Sequence, residues 1–238
     1  MNKKILILIA LIAAILSVVI VSTQKIRYAQ ATMAGIDTKL KIIIDPGHGG
    51  FDGGAVGIDG TVEKDINLEI SLKLREILLV SGFDVIMTRE DDRSIHDNGL
   101  FKVKNQKTSD MQNRLKLIQA NPDALFISIH QNKFPQQNIW GAQVFYSTNN
   151  EVSKQFAGVL QSNLKKYLQP QNNREIKPAD NGLYLLYNAE IPAVLVECGF
   201  ISNAEECNKL KTEEYQKDIA YVIYYSIMNL QNEREVTN

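Results

Sequence analysis

Cysteine and histidine, the residues that define many metal and redox sites, are scarce in this chain. Its 238 residues include two cysteines, Cys198 and Cys207, and three histidines. No Cys-x-x-Cys pair is present, which excludes a structural zinc site built on such pairs. A disulfide between the two cysteines is permitted in an oxidising compartment, but we favour a buried free thiol at Cys198.

Several common catalytic and cofactor motifs are also missing. The sequence has no Gly-Lys-Ser/Thr for a phosphate loop, no His-Glu-x-x-His for a helical zinc site and no Gly-x-Ser-x-Gly for a serine nucleophile. A dinucleotide fingerprint beginning at Gly47 and Gly49 fails because its third glycine position holds Asp52. Nucleotide-dependent and serine-hydrolase chemistries are therefore disfavoured.

Most of the chain also lacks an excess of positive charge. Residues 32–238 contain 22 basic and 27 acidic residues, a mildly acidic balance. Proteins that bind nucleic acid through its phosphates need the opposite balance. We therefore expect no nucleic-acid partner.

The first 24 residues combine positive charge with a long apolar run. Lys3 and Lys4 precede residues 5–21, which are apolar except for Ser17. As a helix this run would span roughly 25 Å, close to the thickness of the hydrocarbon core of a bilayer. We predict a signal peptide or membrane anchor at 1–24, and we favour a retained anchor because Ala29-Gln30-Ala31 lies far beyond the run for a cleavage site. The lysines keep the N-terminus inside, so the rest of the chain is predicted to be exported.

The remainder is predicted to be one α/β domain with a mostly parallel, twisted sheet flanked by helices. Residues 25–39 are polar and small and predict a linker, residues 40–232 the domain, and residues 233–238 a tail. Hydrophobic periodicity predicts strands at 40–45, 83–88, 124–130, 141–147 and 193–198, and helices at 63–80, 110–119, 151–168 and 212–230. Residues 89–109 and 170–180 are interpreted as loops. Ser202 is predicted to cap a further helix.

Polar side chains stand where three predicted strands end. His48, His130 and Glu197 follow apolar strands, and Glu63 opens the helix after a loop that holds seven of the 14 glycines. Ligands bind at the carboxyl ends of strands in open α/β sheets, so these four side chains are expected at one edge. Two histidines and a carboxylate with an open position describe a catalytic zinc site, and a second carboxylate can accept a proton from the attacking water.

Other candidate ligands fit this edge less well. His96 lies in the polar connection with no strand to position it. Asp45 and Asp52 flank a glycine turn, where aspartates commonly accept hydrogen bonds from backbone N–H groups. Glu69 lies too far along the first helix to share a site at the end of the strands.

Four motifs resemble one known family. Residues 42–50, 63–68, 126–132 and 192–203 read Ile-Ile-Ile-Asp-Pro-Gly-His-Gly-Gly, Glu-Lys-Asp-Ile-Asn-Leu, Phe-Ile-Ser-Ile-His-Gln-Asn and Pro-Ala-Val-Leu-Val-Glu-Cys-Gly-Phe-Ile-Ser-Asn. They resemble, in sequence and order, the zinc-dependent N-acetylmuramoyl-L-alanine amidases over residues 40–230. The resemblance implies zinc bound by His48, Glu63 and His130, and Glu197 as the catalytic base. The implied reaction is hydrolysis of the amide between N-acetylmuramic acid and L-alanine in peptidoglycan.

Finer features imply a subgroup and partners. Residues 113–115, 141–146 and 179–181 are similar to the germination-specific amidases of spore formers, which implies a role in spore cortex maturation and muramic-δ-lactam formation. Asn132 is a candidate substrate contact, and an exported partner protein is expected to supply targeting or activation. Two alternatives stay open: another exported zinc hydrolase of peptidoglycan, such as a peptidase or deacetylase, and a wall-binding protein without catalysis.

Overall fold

Ile42, Ile43 and Ile44 form the centre of strand β1 and are completely buried. The computed structural model describes residues 40–237, with side chains through residue 231. Its strands are β1 (Lys41–Pro46), β2 (Asp84–Met87), β3 (Ala124–Asn132), β4 (Gln143–Tyr146), β5 (Lys177–Pro178) and β6 (Ala193–Phe200). Its helices are α1 (Glu63–Val80), α2 (Val103–Gln119), α3 (Glu151–Tyr167), α4 (Tyr184–Asn188), α5 (Ala204–Leu210) and α6 (Glu213–Thr237).

The six strands form one mixed sheet in the order β2-β1-β3-β6-β4-β5. Strand β1 pairs in parallel with both β2 and β3, and β3 pairs in parallel with β6. Strand β4 runs antiparallel to β6, and β5 runs parallel to β4. The predicted α/β class and the five longer strands are confirmed. The carboxyl ends of β1, β3 and β6 consequently lie at one edge of the sheet.

Helices cover both faces of the sheet. On β3, Leu125, Ile127 and Ile129 face a core layer built with α1, α3 and α6. Phe126 points the other way, into a second layer formed with α2 and α4. Because side chains alternate along a strand, His130 lies on the same face of the sheet as Phe126. On the face that carries His130, this edge of the sheet is therefore flanked by α2 and α4.

Helix α2 begins at Val103, so the interpretation of 103–109 as loop was wrong. Its buried residues include Ser109, Asp110 and Arg114, which are polar. Hydrophobic periodicity cannot detect a helix whose buried face is polar, because the signal depends on apolar residues repeating on one side.

Two smaller predictions also need correction. The N-cap of α5 is Asn203, whose side chain accepts hydrogen bonds from the N–H groups of Glu205 and Glu206. The Ser202 hydroxyl instead accepts a hydrogen bond from the N–H of Phe134 at 3.0 Å. The short elements β5 and α4 had no counterpart in the predictions, because elements of two and five residues are too short to show periodicity.

Residues 40–237 form one compact unit. The segments predicted as signal or anchor (1–24) and as linker (25–39) lie outside the described residues, whereas α6 extends into the predicted tail. Between residues 40 and 237, no helix combines the length and apolarity needed to span a bilayer. Cys198 and Cys207 are both buried and free, which confirms the thiol interpretation.

Candidate active site

The loop after β1 places His48 in an unusual backbone conformation. Its φ is +63°, in the left-handed region that non-glycine residues seldom occupy. Such a conformation costs of order 1–3 kcal/mol and persists where surrounding contacts hold it. Two contacts hold His48 here. Its carbonyl accepts a hydrogen bond from Arg114 Nη2 at 2.7 Å, and its ring nitrogen Nδ1 pairs with Asp52 Oδ2 at 2.9 Å.

The glycine-rich loop also caps α1 and holds Glu63. The N–H groups of Glu63 and Lys64 donate to the carbonyls of Ala55 and Gly53 at 2.9 and 3.2 Å. In return, Glu63 Oε2 accepts a hydrogen bond from the N–H of Ala55 at 2.7 Å. A carboxylate at a helix N-terminus is further favoured by the helix dipole. Glu63 is thus fixed in place, with only 3% of its surface exposed.

The side chains of His48, Glu63 and His130 converge. Glu63 Oε1 lies 3.3 Å from His48 Nε2 and 3.0 Å from His130 Nδ1. One ligand atom from each residue falls within 4.8 Å of the others, and residues 40–231 contain no other such group of His, Cys, Asp or Glu. The structure thus brings together three residues separated by up to 82 positions in sequence.

These contacts shift the pKa values of the cluster. Burial disfavours the charged form of Glu63, but hydrogen bonds from His130 and His48 outweigh it and hold the pKa of Glu63 well below its usual range. Burial likewise opposes protonation of His48, yet its contacts with Asp52 and Glu63 raise the pKa of His48 to about 9. The carboxylate of Glu63 therefore carries its negative charge between two imidazoles at neutral pH.

Glu197 lies beside this cluster on the neighbouring strand. It pairs with His130 in the parallel register of β3 and β6, so the two side chains project from the same face. Its Oε2 is buried and, among the described residues, has no hydrogen-bond partner. Burial raises the pKa of Glu197 to about 7; the nearby histidines oppose this shift, and Glu63 adds to it.

Two buried arginines, which the sequence analysis did not assign to the site, hold the backbone of the His48 loop. Arg89 donates to the carbonyls of Pro46 and Gly47, both at 3.0 Å. Arg114 donates to the carbonyls of Pro46 and His48, and pairs with Asp45 and with Asp110. Asp110 lies four residues before Arg114 in sequence, a spacing that marks a possible helical ion pair.

The remaining predicted residues take other roles. Asp45 accepts hydrogen bonds from Thr88, Ser128 and Arg114, and neither it nor Asp52 supplies an atom to the cluster. His96 Nδ1 pairs with the Ser94 hydroxyl, and its ring packs edge-on against Phe51. The carbonyl of Asn132 accepts a hydrogen bond from the N–H of Ile201, and a substrate contact for Asn132 stays a prediction.

A cavity of about 190 Å³ opens beside the cluster, between the sheet and helices α2 and α4. His48, His130 and Arg114 line its polar side, and its apolar lining comes from Met111, Leu183, Leu185, Leu186 and Leu195. A group that reacts at the cluster would therefore lie beside a cavity with one charged side and one apolar side.

Gly47 is required by the close approach of His130. A Cβ at position 47 would lie 2.3 Å from His130 Cε1 and Nε2, a separation that real side chains do not reach. We expect Gly47→Ala to displace the imidazole and, for a metal held at this cluster, to weaken binding by about tenfold or more, measured by competition with a chromophoric chelator. A Cβ at Gly158 on α3 would meet nothing within 4 Å, so Gly158→Ala should leave metal binding unchanged. Equal metal affinity in both variants would contradict the steric argument.

Most of the sequence matches a known family. A family model for N-acetylmuramoyl-L-alanine amidases matches residues 42–229. The chain belongs to this family. Its activity is that of an N-acetylmuramoyl-L-alanine amidase acting on peptidoglycan, and the family is metal-dependent.

Individual relatives agree with the assignment of this amidase. The germination-specific N-acetylmuramoyl-L-alanine amidase of Bacillus subtilis is 38% identical over 193 residues, which are 81% of this chain and 80% of the relative. A solved structure of the CwlD amidase from Clostridioides difficile, in complex with the GerS lipoprotein, is 43% identical with a TM-score of 0.79, covering 82% of this chain and 99% of the other. The amidase AmiC2 of Nostoc punctiforme is 28% identical with a TM-score of 0.67, covering 80% and 96%.

Proposed function

We propose that His48, Glu63 and His130 bind a zinc ion and that Glu197 is the catalytic base of the amidase reaction. The observation that carries the proposal is the convergence of two imidazoles and a carboxylate within 4.8 Å, beside a buried carboxylate paired in register with His130. The contacts of the two carboxylates support this division of roles between Glu63 and Glu197. Glu63 touches both histidines, whereas Glu197 Oε2 has no partner among the described residues.

The donor set fits zinc. Two imidazole nitrogens and one carboxylate oxygen are typical of catalytic zinc sites that leave one position open. Calcium and magnesium prefer sites made wholly of oxygen atoms, so the imidazoles argue against them. Two glycines leave room for the three ligands to converge. A Cβ at Gly47 would collide with the His130 ring, and a Cβ at Gly54 would collide with the His48 ring and with Glu63.

The side chains of the site divide the work of hydrolysis. A zinc ion at these ligands would supply Lewis acidity to the scissile carbonyl and to the attacking water. Glu197 would hold the proton of that water at Oε2 and return it to the nitrogen of the leaving L-alanine. The pKa of about 7 that burial gives Glu197 suits a group that both accepts and donates a proton near neutrality.

We further propose that this chain acts outside the cytoplasm in spore cortex maturation, where removal of stem peptides precedes muramic-δ-lactam formation. Its support is the similarity to the germination-specific amidase of Bacillus subtilis. The amidase of Clostridioides difficile was solved with a lipoprotein. By analogy, we propose that an exported partner protein assists this chain in targeting or activation, with the N-terminal segment contributing membrane attachment. If residues 25–238 bind zinc fully and cleave peptidoglycan at full rate alone, the partner is not required.

The test of function combines metal analysis with product analysis. We expect the purified chain to hold one equivalent of zinc and to release stem peptides with free L-alanine N-termini, leaving intact lactyl groups on the glycan by mass spectrometry. His48→Ala should lose both the metal and the activity. Cleavage within the stem peptide or release of acetate would indicate a peptidase or a deacetylase instead. Peptidoglycan whose glycan and stem peptides are both unaltered in the presence of stoichiometric zinc would favour a wall-binding protein.

A further inference from the structure

Asp52 is placed between the first metal ligand and helix α2. Its Oδ2 lies 2.9 Å from His48 Nδ1, and its Oδ1 accepts a hydrogen bond from Lys107 Nζ at 2.8 Å. A longer contact of 3.5 Å joins Oδ1 to the N–H of Gly54. The sequence predicted that Asp52 accepts hydrogen bonds from backbone N–H groups of its turn. The contact with Gly54 is of this kind, and it is the longest and weakest of the three.

The backbone holds Asp52 in the position these contacts require. The N–H groups of Gly49 and Asp52 each donate to the other's carbonyl, at 2.9 and 3.1 Å, which closes a tight turn between the ligand and the aspartate. The carboxylate therefore reaches Nδ1 of His48 without any rearrangement. The other ring nitrogen, Nε2, is left to face Glu63 at 3.3 Å.

Lys107 connects this turn to a separate part of the fold. It lies in the first part of α2, where the sequence pattern does not indicate a helix, and is separated from Asp52 by 55 positions in sequence. About half of the Lys107 side chain is exposed, so salt screens its pairing with Asp52. Arg114, on the same helix, holds the His48 carbonyl. Helix α2 thus contacts both the backbone of the ligand and the carboxylate that touches its ring.

We propose that Asp52 is the positioning residue that orients His48 for metal binding, and that Lys107 holds Asp52 in place, so that helix α2 sets the metal affinity of the site. The inference rests on the proposed metal-binding role of His48. A carboxylate on the non-ligating nitrogen fixes the tautomer and orientation of a histidine, and removing such a partner commonly weakens metal affinity 10- to 100-fold.

The experiment measures zinc affinity in the full-length chain by competition with a chromophoric chelator. We expect Asp52→Ala and Asp52→Asn to weaken zinc binding by about 10- to 100-fold. We expect Lys107→Met to weaken it by a smaller factor that disappears at high salt, because the pair is half-exposed. Lys104→Met is the matched control. Lys104 lies one turn earlier on α2, and its side chain makes no ion pair with the described residues of the loop. The zinc affinity of this variant should match that of the wild type.

A second readout separates positioning from stability. The visible spectrum of the cobalt-loaded protein reports the geometry around the metal, and we expect it to change in both Asp52 variants but not in Lys104→Met. Wild-type affinity in both Asp52 variants, or an unchanged cobalt spectrum in both, would overturn the inference. Lys107→Met affinity equal to that of Lys104→Met at low salt would overturn the role of Lys107. If the wild type binds no metal, or His48→Ala binds it equally well, the proposed function itself fails, which is a distinct result.

Discussion

Replacing Glu197 with glutamine is expected to lower kcat by about 10²- to 10⁴-fold, the range that a general acid–base residue contributes. Glutamine keeps the shape of the side chain but cannot accept the proton at Oε2. Metal content should stay at the wild-type level, because Glu63 and the two histidines are unchanged. The folded state should be at least as stable, since a buried carboxylate oxygen without a partner among the described residues is replaced by a neutral amide. Single-turnover kinetics on purified muropeptides together with metal analysis check both expectations.

The matched control for this variant is Glu205→Gln. Glu205 is an exposed carboxylate on α5, in a surface pair with Lys209 at 2.8 Å. Its replacement should leave kcat and metal content unchanged. A Glu197→Gln enzyme within tenfold of the wild-type kcat would show that another group accepts the proton.

Replacing Arg114 with methionine is expected to destabilise the fold by about 3–5 kcal/mol, the cost of leaving a buried charge without its partner. Arg114 and Asp45 are each 1% exposed and are directly paired, and Asp110 pairs with the same guanidinium at 2.7 Å. Methionine fills a similar volume but leaves Asp45 charged in the interior. It also removes the donor that holds the His48 carbonyl. Urea denaturation followed by circular dichroism would show the loss as a lower midpoint with an unchanged slope.

Arg93→Met provides the comparison for a surface arginine. Arg93 pairs with Asp91 at 3.2 Å, and both side chains are more than 60% exposed. Exposed pairs contribute about 0–1 kcal/mol, so this variant should denature close to the wild type. Adding Asp45→Asn to Arg114→Met should recover part of the lost stability, because the buried charge is then removed. An Arg114→Met protein as stable as Arg93→Met would refute the argument.

The sequence revealed the elements whose buried residues are apolar. Helix α1 has the predicted bounds because Ile66, Ile70 and Leu74 repeat on one face. Strands β1, β3 and β6 were recognisable for the same reason, and their parallel pairing brings His48, His130 and Glu197, at or just beyond their carboxyl ends, to one edge. The cluster of metal-binding candidates could therefore be predicted from strand ends and residue chemistry.

The supports of the site were harder to predict, because their partners are distant in sequence and polar. Arg114 reaches Asp45 across 69 positions, and Lys107 reaches Asp52 across 55. No local pattern connects such pairs, and their helix shows no apolar repeat around Ser109 and Asp110. The sequence did contain one signal for this helix. Asp110 and Arg114 are four residues apart, the spacing of a helical ion pair, and the apolar residues Leu115 and Ile118 follow them.

The position of β6 in the sheet has a consequence for folding. β3 and β4 are successive strands along the chain, yet β6 lies between them and pairs with both. Without β6 the two parts of the sheet, β2-β1-β3 and β4-β5, are not joined, and Glu197 lies on this strand. The three proposed metal ligands, His48, Glu63 and His130, all precede residue 131 and therefore lie in the part of the chain before β6. Because Glu197, the proposed base, lies on β6, we expect amidase activity during refolding to appear no earlier than the pairing of β6 with β3 and β4.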